Sequence, residues 1–210
     1  MVTATVAGVT ALVAAATVVG NGNLKTVPRA VAPFHAMRVS VACDLDVRAA
    51  VPAQALTLSG DENIVAVVDT VVEDGVLVVR SKSSLEPRQP LKLTVAVPTL
   101  DDLEISGAAD GRVVGLMGPA FHLRLSGASK LVLTGEVASF RMVASGASEV
   151  LASSLRAKSA RVELSGAGRV EVNASDDLDV EVSGVGQVLY VGKPKSVRKK
   201  VSGVGMVGPK

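Results

Sequence analysis

The sequence has few aromatic side chains, which limits how its core can be built. It contains no tryptophan, one tyrosine and three phenylalanines in 210 residues, although 48% of the residues are hydrophobic. A core must therefore consist of valine, leucine, isoleucine and alanine, which suits thin stacked layers of short strands. Valine is enriched in strands, and valine and glycine both lower helix propensity, so this composition favours an all-β protein.

Cysteine is nearly absent. Cys43 is the single cysteine, which excludes an internal disulfide and a cysteine-based zinc cluster. The stretch around it alternates as a strand does, with Val39, Val41, Leu45 and Val47 on the same face as Cys43. We therefore expect an inert, buried thiol.

Motifs for catalysis and for nucleic-acid binding are also lacking. The 22 basic and 20 acidic residues nearly balance, so charge predicts no nucleic-acid partner. The sequence has no phosphate-binding glycine loop and no H-E-x-x-H pair, and His35 and His122 lie in no motif with a nucleophile or a second metal ligand. We therefore predict no catalytic residue, no metal and no cofactor.

Charged side chains are missing from the first 20 residues. This apolar run of small residues is typical of the hydrophobic part of a signal peptide, although the usual basic residue before it is missing. We assign residues 1–22 to an export signal or membrane-targeting segment, with an uncleaved anchor or a buried strand as alternatives, and residues 23–32 to a linker. The expected location is the periplasm or the cell surface, with membrane contact only through this segment.

A Ser-Gly dipeptide recurs six times in the second half of the chain, at intervals of 20, 19, 20, 18 and 19 residues. The pairs are Ser106 and Gly107, Ser126 and Gly127, Ser145 and Gly146, Ser165 and Gly166, Ser183 and Gly184, and Ser202 and Gly203. Each follows a run such as LRLSGA or VELSGA, in which apolar and polar residues alternate as in a strand. A unit this short cannot bury its own apolar face, so copies must stack as rungs.

Alignment on the serines predicts which residues face the core. Residues one, three and five positions before a serine should be buried: Phe121, Leu123, Leu125, Phe140, Met142, Ala144, Ala160, Val162, Leu164, Leu178, Val180 and Val182. The small residues two positions after the serines, such as Ala108 and Ala128, are expected to fill an interior corner. The glycine is required there either by a positive φ or by a lack of room for a Cβ.

The predicted fold is all-β: a single-stranded parallel β-helix, or β-solenoid, with about 19–20 residues per rung and a right-handed coil favoured. Residues 106–210 form its regular Ser-Gly repeat. Residues 33–105 alternate less regularly and should form irregular β coils that continue the stack, with a hairpin at Asp74-Gly75. Residues 33–210 then make one domain.

Two charge patterns mark the exterior. The residues four positions after the serines alternate between negative and positive charge. They predict a charge ladder between stacked rungs: Asp110, Lys130, Glu149 and Arg169. A basic cluster lies near the C-terminus: Lys193, Lys195, Arg198, Lys199 and Lys200. This basic cluster is open to two interpretations, an anion-contact surface and a solvated loop that protects the last rung from edge pairing.

Several passages resemble a known family. The GDENI segment followed by VEDGVLVV, the passage LKLTVAVPTLDDLEISGAAD and the ending YVGKPKSVRKKVSGVG are similar to the bacterial head GIN domain family (DUF2807), described as "putative autotransporter adhesins". The resemblance spans about residues 33–208 and implies export to the envelope, a β-helix related in architecture to pectin lyases, and an adhesive or envelope role without catalytic residues. Rungs of that family usually read GSGD, whereas here only Asp110 keeps the acid.

The leading hypothesis is a non-enzymatic, exported cell-envelope protein, an adhesion or scaffold module that binds through a β-helix face. Its partner would be an envelope component, a glycan or a protein, and self-association is a further hypothesis because solenoid ends expose unpaired strands. The alternative is a carbohydrate-active β-helix enzyme of the polysaccharide lyase or hydrolase type, which needs a groove with at least two convergent carboxylates.

Overall fold

The computed structural model describes residues 16–210, which consist mostly of strands with one short helix, α1 (Glu62–Val67). The strands of the N-terminal part are β1 (Thr17–Val19), β2 (Leu24–Pro28), β3 (Ala36–Val39), β4 (Cys43–Arg48), β5 (Ala55–Asp61), β6 (Val68–Glu73), β7 (Val76–Ser81), β8 (Ser84–Glu86), β9 (Lys92–Ala96) and β10 (Asp102–Ile105). The strands of the C-terminal part are β11 (Ala109–Leu125), β12 (Ala128–Ala144), β13 (Ala147–Leu164), β14 (Ala167–Val182), β15 (Val185–Val191), β16 (Ser196–Val201) and β17 (Val204–Pro209).

Strands β11 to β14 each run through most of one rung. They are 16 to 18 residues long, far longer than ordinary strands, because the chain stays paired as it passes the corners. In β11 the pairing register shifts between Val113 and Leu116, beside Gly115, whose φ is 76°. Each strand pairs in parallel with the next, and β15 and β16 form the following rung on β14. The predicted all-β solenoid is confirmed.

The N-terminal part continues the stack with mixed strand directions. β10 pairs in parallel with β11 and β3, and β4 pairs in parallel with β11 and β9. Antiparallel pairing joins β5 to β2 and β9, and joins β6 to β7. The turn between β6 and β7 is the expected hairpin, since Asp74 and Gly75 have the positive φ angles, 51° and 77°, of a type I′ turn.

Aliphatic side chains fill the solenoid interior in register from rung to rung. All twelve residues predicted to face the core from positions before the serines have exposed fractions of 3% or less. Phe121 and Phe140 stack with ring centroids 6.1 Å apart. Cys43 is buried, and desolvation raises the pKa of its thiol to about 12. The thiol is therefore not ionised at neutral pH, which makes it a poor nucleophile.

The corner beside each Ser-Gly pair differs from the prediction. Ala108 and Ala128, expected inside, are exposed. In the first three rungs the next residue points inward instead, so that Ala109, Ser129 and Ser148 are 4–6% exposed. The physical reason is that the alternation of inward and outward side chains continues through the corner without a break.

The glycines of the Ser-Gly pairs are required by close approach of the backbones. None of the six has a positive φ. A Cβ added to Gly127, Gly146 or Gly166 would lie 2.0 Å from the carbonyl oxygen of the glycine one rung earlier. Of the two predicted reasons for the glycine, the lack of room for a Cβ therefore applies.

The N-terminal segment also differs from the prediction. The stretch predicted as a linker, residues 23–32, contains β2, whose backbone partner β5 is too distant in sequence for a local pattern to reveal. Residues 1–15 of the predicted export segment lie outside the described residues, while Thr17–Val19 forms β1 and pairs in parallel with β8. Within residues 16–210, no helix is long and apolar enough to cross a membrane.

Candidate functional site

The repeat serines lie exposed at a corner and take part in holding the rungs together. The backbone N–H groups of Ser126, Ser145 and Ser165 each donate to a carbonyl of the preceding rung at 2.9–3.0 Å. The hydroxyl of Ser165 also donates to the Ala144 carbonyl at 3.3 Å. These contacts support a structural role for the serine column.

The charge ladder forms one exterior column. Asp110, Lys130, Glu149 and Arg169 are direct register partners on β11 to β14, and Lys130 Nζ lies 3.3 Å from Glu149 Oε2. Asp44 of β4 stands beside Asp110, so two like charges adjoin at that end. Because the Lys130 and Glu149 side chains are 56% and 40% exposed, their pairing contributes only about 0.2–1 kcal/mol and fixes register more than stability.

A second charged array covers the face formed by β10 and the C-terminal ends of β11 to β14. Arg124 of β11 lies 3.7 Å from Glu104 of β10. Two rungs further on, Arg161 lies between Glu163 and Asp179, at 2.8 and 3.4 Å. These carboxylates, Glu163 most strongly, raise the pKa of Arg161.

The basic cluster belongs mainly to the last rung rather than to a loop. Three of its members lie in β16, which pairs with β14. Lys195 pairs with Asp176 and Lys200 with Glu181, and each contact holds the pKa of the carboxyl below its ordinary value. Lys193 lies exposed in the loop before β16. Two of the five basic side chains that were considered as anion contacts are therefore already paired with acidic side chains of the preceding rung.

Lys199 occupies an inward-facing register position at the open end of the solenoid, where it stays exposed. It is the register partner of Val180, which is fully buried. Its ammonium donates to the Val207 carbonyl at 3.1 Å and lies 5.2 Å from the centroid of the Tyr190 ring, so the side chain crosses the end of the core. An inward-pointing charge on a terminal strand hinders edge-to-edge association.

We expect Lys199→Val to promote self-association, because it removes this charge from an end where Val197 and Val201 are already 37% and 43% exposed. Light scattering over a concentration series should show an average mass that grows more steeply than that of the wild type. The matched control is Arg198→Val, which changes the neighbouring outward position of the same strand. Equal growth in both variants would contradict the role given to Lys199.

A groove of about 670 Å³ crosses four successive rungs, a volume within the range of ligand sites. Met117, Glu136, Arg156 and Asn173 are register partners on β11 to β14 and line it. The remaining lining residues are Gly118, Val137, Ala138, Ala157, Lys158 and Ser175. The sequence pattern gives no sign of this groove.

The lining of this groove carries two cations and one carboxylate, and that carboxylate is already engaged. Arg156 Nη2 donates to Glu136 Oε2 at 2.6 Å, which holds the pKa of Glu136 below its ordinary value. Lys158 also lowers the pKa of Glu136, and that of Asp176, through its charge alone. The excess positive charge favours a negatively charged group in the groove.

A second depression, of about 490 Å³, lies beside the Ser-Gly corners. Asp44, Asp110 and Lys130 of the ladder column line it, together with Cys43. Asp44 and Asp110 are adjacent register partners, so two aspartates stand side by side on neighbouring strands here.

The two histidines each stand beside an aspartate. His35 Nδ1 lies 3.6 Å from Asp101 Oδ2, and His122 Nδ1 lies 3.8 Å from Asp102 Oδ2, with both rings about half exposed. Within residues 16–210, no three histidine, cysteine, aspartate or glutamate side chains are grouped so as to hold a metal ion.

A buried carboxylate fastens the N-terminal segment to the fold. Asp61 is fully buried. Its carboxylate accepts hydrogen bonds from the backbone N–H groups of Gly22, Arg88 and Gln89 at 2.6, 2.8 and 2.9 Å. These hydrogen bonds, that of Gln89 most, hold the pKa of Asp61 below its ordinary value. Sequence reasoning missed this role because the donors lie 27 to 39 residues away.

Another buried carboxylate lies near the C-terminal end. Glu171, 4% exposed, is engaged by Lys210 at 2.7 Å and Arg169 at 2.8 Å. Both contacts, that of Lys210 more strongly, hold the pKa of Glu171 below its ordinary value. Arg169 therefore contacts Glu171 on its own strand as well as standing in the ladder column.

The fold defines the class of protein: a parallel β-solenoid with an irregular N-terminal part. Residues 33–194 match the family described as "Putative auto-transporter adhesin, head GIN domain" (DUF2807). The match covers more than half of the chain, so the protein belongs to the head GIN domain family, and the resemblance seen in the sequence is confirmed.

Solved structures share the fold at low sequence identity. A putative adhesin from Bacteroides fragilis is 21% identical, with a TM-score of 0.73 over 92% of this chain and 100% of that one. A putative lipid binding protein from Parabacteroides distasonis is 19% identical, with a TM-score of 0.52 over 92% and 99%. A putative adhesin from Parabacteroides merdae is 17% identical, with a TM-score of 0.51 over 93% and 100%. No curated protein matches the chain.

Proposed function

We propose that this protein is an exported, non-enzymatic module of the cell envelope, located in the periplasm or at the cell surface, that binds an envelope glycan in the groove across β11 to β14. The adhesin description of its family and of proteins with the same fold supports an adhesive role. The groove itself is the observation that carries the proposal.

The shape and charge of the groove suit a short stretch of an extended acidic polymer. Four rungs spaced about 4.8 Å apart give it a length on the order of 14 Å. Ala138 and the exposed side chain of Met117 offer apolar contact for the C–H faces of sugars, and Asn173 and Ser175 offer hydrogen-bonding groups. Within residues 16–210 Lys158 forms no ion pair, whereas Arg156 pairs with Glu136, so Lys158 is placed to meet a sugar carboxylate.

The groove mutation Lys158→Glu tests this proposal. We expect the purified protein to bind polygalacturonate more tightly than dextran, because only the former carries carboxylates. Reversing the charge of Lys158 should weaken that binding by about tenfold, or about 1.4 kcal/mol. Biolayer interferometry at about 0.15 M salt, where charges more than about 8 Å from the ligand are largely screened, would measure the affinity.

The matched control is Lys130→Glu, an equal charge change on the ladder column outside the groove. We expect it to bind as the wild type does, within about twofold, since most of an exposed charge's effect is screened. Equal loss in both variants, or no binding of any acidic glycan, would contradict the proposed groove.

The carbohydrate-active alternative is favoured by one observation, the adjacent Asp44 and Asp110 in the second depression. Glycoside hydrolysis uses two carboxylates flanking the scissile bond. Release of reducing or unsaturated sugar products by the wild type, abolished by Asp110→Asn, would support an enzyme instead of the binding module.

A further inference from the structure

Residues 17–22 belong to the folded domain, although the sequence pattern assigned them to the export segment. β1 pairs in parallel with β8. The Gly20 N–H extends this pairing by donating to the Glu86 carbonyl at 2.9 Å. Val18 packs against the hydrophobic core. A cut after residue 22 would therefore remove a paired strand.

The same segment covers the buried carboxylate of Asp61. Gly20 is buried so closely against it that an added Cβ would lie 2.2 Å from Asp61 Oδ2. The Gly22 N–H donates to Asp61 Oδ1, and Asn63 Nδ2 donates to the Val19 carbonyl at 2.7 Å. Loss of residues 17–22 would uncover a carboxylate and remove one of its three donors, so the fold requires the chain from Thr17 onward.

A cleavage pattern stands immediately before this strand. Signal peptidases select small residues one and three positions before the bond that they cut, and Ala16 and Ala14 occupy those positions before Thr17. We propose that the export signal is removed at the Ala16–Thr17 bond, so that the mature chain begins with β1. This site rests on the proposed export of the protein.

The reaction is an ordinary hydrolysis with water as the co-reactant. The amide bond between the Ala16 carbonyl carbon and the Thr17 nitrogen breaks, and a new C–O bond leaves Ala16 with a carboxylate. Thr17 keeps the nitrogen as the α-amine of the mature chain. The signal peptidase of the host is the catalyst.

Intact-mass and N-terminal analysis of the full chain, expressed in bacteria and fractionated, tests the site. We expect the envelope fraction to contain residues 17–210. An envelope protein that begins at Asn23, at any other residue, or uncut at Met1 would overturn the cleavage site while leaving export intact. Uncut protein confined to the cytoplasm would overturn export itself and the site with it.

Two phenylalanine variants separate the site from a general effect on the leader. Ala16→Phe places a bulky side chain next to the bond, and we expect at least a tenfold loss of the 17–210 product with accumulation of the uncut chain. Ala15→Phe changes the unconstrained middle position and should leave processing unchanged. Equal processing of the two variants would contradict the assignment.

Discussion

Gly166→Ala should destabilise the protein by about 3 kcal/mol, because its Cβ would have to occupy space filled by another backbone. That Cβ would lie 2.0 Å from the Gly146 carbonyl oxygen and 2.9 Å from its carbon. The same carbonyl accepts a hydrogen bond from the Ala167 N–H at 3.1 Å. The two rungs therefore cannot move apart without losing this backbone hydrogen bond between them. For a chain of this size the melting temperature should fall by about 6–12 °C.

The matched control is Gly208→Ala in β17, where an added Cβ would meet no atom within 4 Å and φ is not positive. We expect its melting temperature to change by about 2 °C or less. Thermal unfolding followed by circular dichroism measures both variants. If Gly166→Ala melted as the wild type does, the rungs would not approach each other as closely as the glycine column requires.

Asp61→Asn should be the second severe change, because it replaces a buried carboxylate that accepts three backbone N–H groups. An amide retains one acceptor oxygen but turns its NH₂ group toward donors, and buried donors left without acceptors are costly. We expect the melting temperature at pH 7 to fall by about 5–10 °C. The exposed ladder substitution Asp110→Asn, which removes a charge without breaking a buried contact, should change it by about 2 °C or less.

The effect of Asp61→Asn should depend on pH with a definite sign. The folded pKa of Asp61 lies below its ordinary value of 3.8, so its stabilisation is complete above that value and is lost as pH falls through the folded pKa. The difference in melting temperature between wild type and variant should therefore narrow below about pH 4. A gap that stayed constant from pH 7 to pH 3 would contradict a charged role for Asp61.

The regular half of the fold could be predicted from sequence because its signal is local. Leu123, Val162 and Val180 alternate with polar neighbours before their serines, and each of them is buried. The charge ladder has the same origin, since Lys130 and Glu149 keep one offset from their serines. The corner was misplaced at Ala108 and Ala128 because a break in alternation was expected where the structure has none.

The groove could not be predicted because its residues do not share one offset. Met117, Glu136, Arg156 and Asn173 lie 11, 10, 11 and 8 positions after the serine of their rung. Register shifts between the corner and the groove on β11 to β14 cause this drift, so an alignment on the serines scatters these side chains although the pairing brings them together.

The N-terminal strands and α1 escaped prediction for a different reason. β1 and β2 have three and five residues, without a clear alternation, and their partners β8 and β5 lie far along the chain. α1 has only six residues, too few for a helical period to stand out among valines. The role of Asp61 in joining these elements can be recognised only once the pairing of the strands is known.

The central claim, that residues one rung apart lie directly over one another, is tested most directly by paired cysteines on the ladder column. Lys130→Cys with Glu149→Cys joins adjacent register partners, about 4.8 Å apart, a spacing within disulfide reach. Lys130→Cys with Arg169→Cys spans two rungs, about 10 Å, which is beyond it. Under mild oxidation, with the buried Cys43 in place, mass spectrometry should find the first pair joined within the monomer and the second pair reduced. A disulfide between positions 130 and 169 with the first pair left reduced would contradict the stacked solenoid.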